Sequence, residues 1–165
     1  MHRHITGALR AGTVAAFLLC LFGQIVVIPG TVAGEVDSFP PYAPYAVPYA
    51  ALAILGVACV QVGLVAVWML LAMVRRDALF TPSAFRWVDV LIAASVVATL
   101  LALGAGGHLA TASLPSPGGG MDVESALGAA LACAAVGAAF AMLLVVMRGL
   151  LRKATALETE MAAVV

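Results

Sequence analysis

Residues 74–90 read VRRDALFTPSAFRWVDV, and no other internal stretch of the chain gathers charge so densely. Long apolar runs flank it, back to Ala50 on one side and forward to Leu109 on the other. That pattern predicts a short polar turn joining two membrane-spanning helices. Arg75, Arg76 and Asp77 close the first helix and Ala78-Leu79-Phe80 form the turn. Thr81-Pro82 restarts the chain, because threonine caps free N–H groups and proline suits the first helical position. Arg86 and Asp89 stand three apart on one helical face and form the candidate structural ion pair. Trp87 falls at the interfacial depth where tryptophan is enriched.

Composition supports lipid as the solvent. Of 165 residues, 64% are hydrophobic and 10% are charged, against about 25% charged in a soluble domain. Mean hydropathy is +1.14. A small soluble domain needs polar cover, which this chain cannot supply. Its length suits a single domain. A formal net charge of zero leaves no electrostatic footprint for nucleic acid, so no direct nucleic-acid binding is expected. Cys20, Cys59 and Cys133 lie in three different apolar runs without ligand neighbours at metal spacing, and read as packing residues.

Upstream of the turn, residues 50–74 form a span with Gln61 near its middle. It is preceded by FPPYAPYAVPY at 39–49, where four prolines and three tyrosines predict an irregular interfacial loop over 31–48. A proline-rich ligand for another protein is the alternative. Residues 11–28 form a further span, closed by Pro29-Gly30 and carrying Gln24 toward its outer end. A cleaved signal peptide ending near Thr31-Val32-Ala33 is the competing reading, but the apolar run exceeds the usual signal core. Gln24 and Gln61 are candidate intramembrane polar contacts. An amide without water needs partners, and helix-to-helix bonding is the expected use.

Downstream, the third span covers 88–109, and a proline- and glycine-rich loop leads to a fourth at 125–147. A helical extension follows over 148–161. Met147, Leu150, Ala154, Leu157, Met161 and Val164 make one apolar stripe along it, either continuing the fourth helix or lying on the membrane surface. Arg148, Arg152, Lys153, Leu157 and Met161 form the candidate docking surface.

The cations fix an expected topology. Arg3 and Arg10, then Arg75, Arg76 and Arg86, then Arg148, Arg152 and Lys153 account for all 8 Lys and Arg residues and fall on one side. The positive-inside rule makes that side cytosolic. The expected fold is an all-α membrane protein, a four-helix transmembrane bundle with both termini in the cytosol. Ala94, Ala98, Ala102 and Gly106 recur every fourth residue, as do Ala129, Cys133, Gly137 and Ala141. Small residues at this spacing let helices approach closely. They predict a tight antiparallel pair of spans three and four, with dimerisation as the other use of the stripe.

Four spans, the Leu79-Phe80-Thr81 turn and the closing RGLLRKATAL at 148–157 form a recognisable order. Together they resemble the bacterial domain-of-unknown-function 2975 membrane family, and its actinobacterial members most. The resemblance covers nearly the whole chain. Members commonly carry glycine after the basic residues of the turn, where this sequence has Asp77. The resemblance implies the bacterial cytoplasmic membrane, no assigned activity, and encoding beside a small helix-turn-helix regulator.

Function classes separate on the polar residues. His2, His4 and His108 form no catalytic or metal-binding pattern, and no paired carboxylate lies inside a span. Neither enzyme activity nor a cofactor is expected. A coupled transporter keeps ionisable groups within the membrane. The innermost one here is Asp89, read as an ion-pair partner of Arg86, Arg75 or Arg148. An oligomeric pore lined by Gln61, Ser95 and Thr99 is the alternative. The favoured expectation is an interaction or regulatory protein, its partners being the bilayer, a cytosolic protein such as a small helix-turn-helix regulator, and further copies of itself.

Overall fold

The computed structural model describes residues 2–74, 82–112, 114 and 121–162, with side chains for 7–74, 83–112, 114 and 123–157. The expected closure at Arg75, Arg76 and Asp77, the Thr81 cap and the glycine-rich loop at 118–120 lie outside the described residues. The helices run α1 (His2–Phe22), α2 (Ile28–Ser38), α3 (Ala43–Val74), α4 (Pro82–Thr111) and α5 (Met121–Ala162). There is no strand among the described residues. Four helical segments are long and apolar enough to cross a membrane: Gly7–Ser38, Pro40–Val74, Ser83–Thr111 and Val123–Leu157.

The first of these corrects the expected break at Pro29-Gly30. A π-turn at Gly23–Val27 joins α1 to α2, with the Ile28 N–H bonded to the Gly23 carbonyl. Proline has no N–H to donate, and its ring crowds the carbonyl four residues back. A widened turn just ahead of Pro29, which occupies the first turn of α2, accommodates both defects. The helix therefore continues to Ser38, where Thr31 and Ser38 bond back to the carbonyls of Val27 and Gly34. Phe39, held in extended conformation ahead of Pro40, then breaks it.

The expected irregular loop over 31–48 is likewise largely helical. Pro40 and Pro41 occupy a 3₁₀ turn, Pro40–Tyr42, and Pro44 falls in the first turn of α3. All three stand where no N–H donor is needed. Pro48 alone sits inside a helix. The helix that carries the second span thus begins at Ala43, ahead of residue 50.

Facing pairs give the packing order. Arg10 of α1 and Gln24 of the π-turn meet Trp68 and Ile54 of α3. Tyr49 of α3 meets His108 of α4, and Leu91 lies against Gly63. Asp89, Thr99 and Gly106 of α4 meet Arg148, Gly137 and Ala130 of α5. In every set one number rises as the other falls, so successive helices run antiparallel. The closest approaches follow chain order: α1 on α3, α3 on α4 and α4 on α5.

The α4–α5 seam is the tightest, and small residues make it so. A Cβ at Gly106 would rest 3.5 Å from the Ala130 methyl, while one at Gly137 would collide with the Thr99 hydroxyl. The packed face of α5 carries Ala130, Ala134, Gly137, Ala141 and Leu144. Ala129 and Cys133, expected on that face, are exposed. An exact four-residue step drifts around a helix, whereas alternating steps of three and four keep to one side.

The interior is thin. The buried hydrophobic residues are Ala66, Ala84, Leu91, Ala134, Ala141 and Leu144, with no buried polar residue among those described. The accessible surface is 10736 Å² for 16.7 kDa, where a compact soluble chain of that mass would expose about 7,600 Å². Large side chains such as Leu19, Val136 and Val146 point outward, as suits helices solvated by lipid.

Candidate functional site

Polar side chains gather at the two ends of the helix row, and the ends differ in kind. The end bearing Val74 and Pro82 carries Arg10, Trp68, Arg86, Trp87, Asp89 and Arg148. The opposite end carries tyrosines, His108, Glu35 and Asp37. There the Tyr49 hydroxyl and His108 Nδ1 are 2.7 Å apart, tying the start of α3 to the end of α4. Phe39 and Tyr42 stack edge to face at 4.9 Å, bracing the 3₁₀ turn.

At the basic end the expected Arg86–Asp89 pair is replaced by a longer-range one. Arg148 Nε and Nη2 reach the two Asp89 oxygens at 2.5 and 2.9 Å, a two-pronged contact spanning 59 residues. Two causes favour Arg148. The close α4–α5 seam brings Arg148 beside the carboxylate, where Nη2 donates a hydrogen bond and Nε adds a close ionic contact without hydrogen-bond geometry. Arg86 precedes Asp89 along the helix, the less favourable order for a pair three or four apart. It remains exposed, lining a shallow hollow with Ser83, Trp87 and Val90.

The pair is half-exposed, with side-chain accessibility of 31% for Arg148 and 47% for Asp89. Its stabilisation is accordingly modest, about 1 kcal/mol. Asp89→Asn and Arg148→Gln should each lower the melting temperature in mild detergent by a few degrees. The double variant should be no worse than either single. Additive losses in that thermodynamic cycle would show that the two side chains act independently.

The glutamines separate. Gln24 Nε2 donates to the Ile54 carbonyl at 3.1 Å and binds α1 to α3 through the π-turn. The Gln61 amide nitrogen is buried without a hydrogen-bond partner. The two do not meet. Ser95 and Thr99 turn their hydroxyls onto their own helix, at the carbonyls of Leu91, Ile92 and Ser95. The cysteines are free, and among the described residues no three His, Cys, Asp or Glu side chains converge as a metal-binding group.

The C-terminal surface is continuous with the membrane helix. The 42 residues of α5 make one rod of about 63 Å, twice the hydrocarbon thickness of a bilayer. Past Arg148, Leu150 and Leu157 are 62% and 60% exposed, and Arg152, Lys153 and Ala154 are exposed as well. Arg148 itself is paired with Asp89. The Met161 side chain lies outside those described. Sequence reasoning missed Arg10 and Trp68: the guanidinium carbon lies 4.6 Å from the indole centroid. The only hint was an arginine and a tryptophan near the same end of two adjacent spans.

No curated protein and no solved structure matches the chain. The family described as "Protein of unknown function (DUF2975)" matches residues 30–165, which takes in most of α2 and all of α3 to α5, and the chain belongs to that family.

Proposed function

We propose that this chain is a non-enzymatic interaction or regulatory protein of the bacterial cytoplasmic membrane, with both termini cytosolic and the far end of α5 as its docking element. One observation carries the reading. The rod outlasts any bilayer, yet its apolar stripe continues through Leu150, Ala154 and Leu157 with cations beside it. A helix end that merely enters water gains nothing from exposed leucines at three- and four-residue steps. An amphipathic groove or helix on a cytosolic partner would bury them. A small helix-turn-helix regulator is the partner suggested by the family resemblance.

Crosslinking from the cytosolic face of intact cells, followed by identification of the captured protein, tests this. Deleting residues 150–165 should abolish capture while the shortened chain still accumulates in the membrane. Unchanged capture and unchanged expression of the neighbouring genes would end the proposal. The second reading, an oligomeric pore or transporter subunit, draws on the unsatisfied Gln61 amide within α3. Solute leakage from liposomes containing this protein alone would put it first.

A further inference from the structure

We propose that α1 and α3 form a seat for one anionic phospholipid, with Arg10 holding the phosphate and an apolar groove holding part of an acyl chain. The seat is independent of the docking role of α5. Its groove has a volume of about 210 Å³ and is walled by Val14, Phe17 and Leu18 of α1 and by Leu64, Val65 and Trp68 of α3. Thr13 also lines it, but its hydroxyl donates to the Leu9 carbonyl at 2.9 Å. The lining therefore offers a ligand almost nothing but hydrocarbon.

Arg10 stands at one end of this groove. It lies three and four residues before Thr13 and Val14, on the same face of α1. Its guanidinium stacks on the indole of Trp68, itself a wall of the groove. This cation–π contact holds the guanidinium against the groove wall. Its Nε is enclosed by the protein without a hydrogen-bond partner, so the phosphate is met by the terminal guanidinium nitrogens. Among the described residues, the single carboxylate held in an ion pair is Asp89, and Arg148 holds it.

A cation at one end of a wholly apolar channel matches a molecule that is anionic at one end and hydrocarbon beyond. A polar metabolite would leave the groove unfilled, and a neutral acyl chain would leave the donors unmet. Planar arginine donors recognise phosphate oxygens in pairs. The ligand is accordingly an anionic phospholipid from the leaflet at the basic end. Arg10 and the α1 wall precede residue 30, where the family match begins.

Trp68 reports on the seat directly. The chain has 2 tryptophans, so a Trp87→Phe background leaves Trp68 as the sole indole. The full chain is reconstituted in vesicles of neutral phosphatidylcholine, and phosphatidylglycerol brominated on its acyl chains is titrated in. Quenching of Trp68 should half-saturate at a lipid fraction roughly five- to tenfold below that needed for brominated phosphatidylcholine, as expected for one charge-assisted contact. Arg10→Ala should make the two curves coincide. Val65→Phe, which fills the groove and leaves Arg10 in place, should weaken quenching by both lipids and serves if the arginine variant does not fold. Coincident curves in the parent chain, or a preference surviving Arg10→Ala, would overturn the assignment. Loss of the preference in excess inorganic phosphate would also overturn it, by showing a free-anion site without a lipid component.

Discussion

Gly137→Leu is expected to drive α4 and α5 apart and to leave little folded protein in the membrane. Even one added carbon at position 137 would collide with the Thr99 hydroxyl, and the Thr99 Cβ and Cα lie only 3.5 and 3.7 Å away. The hydroxyl has little freedom to retreat, since it bonds the Ser95 carbonyl at 2.8 Å and its carbon is branched. Gly137→Ala should therefore cost about 1–3 kcal/mol, the usual penalty of overpacking. Leucine should cost more, because the seam holds by close van der Waals approach and not by exclusion of water. Thr99→Ala should rescue Gly137→Ala in large part. Gly128→Ala, with nothing within 4 Å of the new carbon, should be harmless. Thermal melts in mild detergent measure all four. A neutral Gly137→Ala would show that the two helices are not held at this distance.

The second large effect is a matter of sidedness. A fluorescent protein fused after Val165 should light up, and alkaline phosphatase inserted within 115–120 should be active in the periplasm. The reversed placements should both be dark. This on-or-off result follows from the placement of all 8 basic residues near the N-terminus, around the connection between α3 and α4, or in the last third of α5. Turning Arg75, Arg76 and Arg86 into glutamates while adding lysines at 115–120 should weaken or invert the pattern. A periplasmic C-terminus in the parent chain would remove the cytosolic docking surface and the proposal built on it.

Much of this architecture was legible in the residues, because span length and charge placement are local quantities. Four apolar runs and a polar turn at 74–90 led to four membrane-length helices. The same local reading failed wherever distance in sequence and distance in space part company. Local spacing puts Arg86 first among the candidate partners of Asp89, with Arg75 and Arg148 as the others, and only the packing of the next helix selects Arg148. Proline content suggested a loop at 31–48, but each ring's position within its turn decides the outcome. Pro40, Pro41 and Pro44 sit where helices begin, and Pro29 follows a widened turn. The α5 stripe was read with the right composition and a drifting period, which left Ala129 and Cys133 outside the seam that Ala130 and Ala134 enter. Arg10 was counted for its charge alone, since nothing local announces an indole on another helix.

The π-turn at Gly23–Val27 has a mechanical consequence. Asp89–Arg148, Thr99–Gly137 and Gly106–Ala130 are three teeth of one gear, and sliding α4 by a turn past α5 would disengage all of them together. That half of the molecule can move only as a block. The helix at the other end of the row meets α3 through the apolar walls of the groove, the Arg10–Trp68 contact and one hydrogen bond from the Gln24 amide, and it joins the chain through a widened π-turn. α1 is thus the helix of the row least tied to its neighbour, and the groove between them is the largest gap in that contact that a bound molecule could fill.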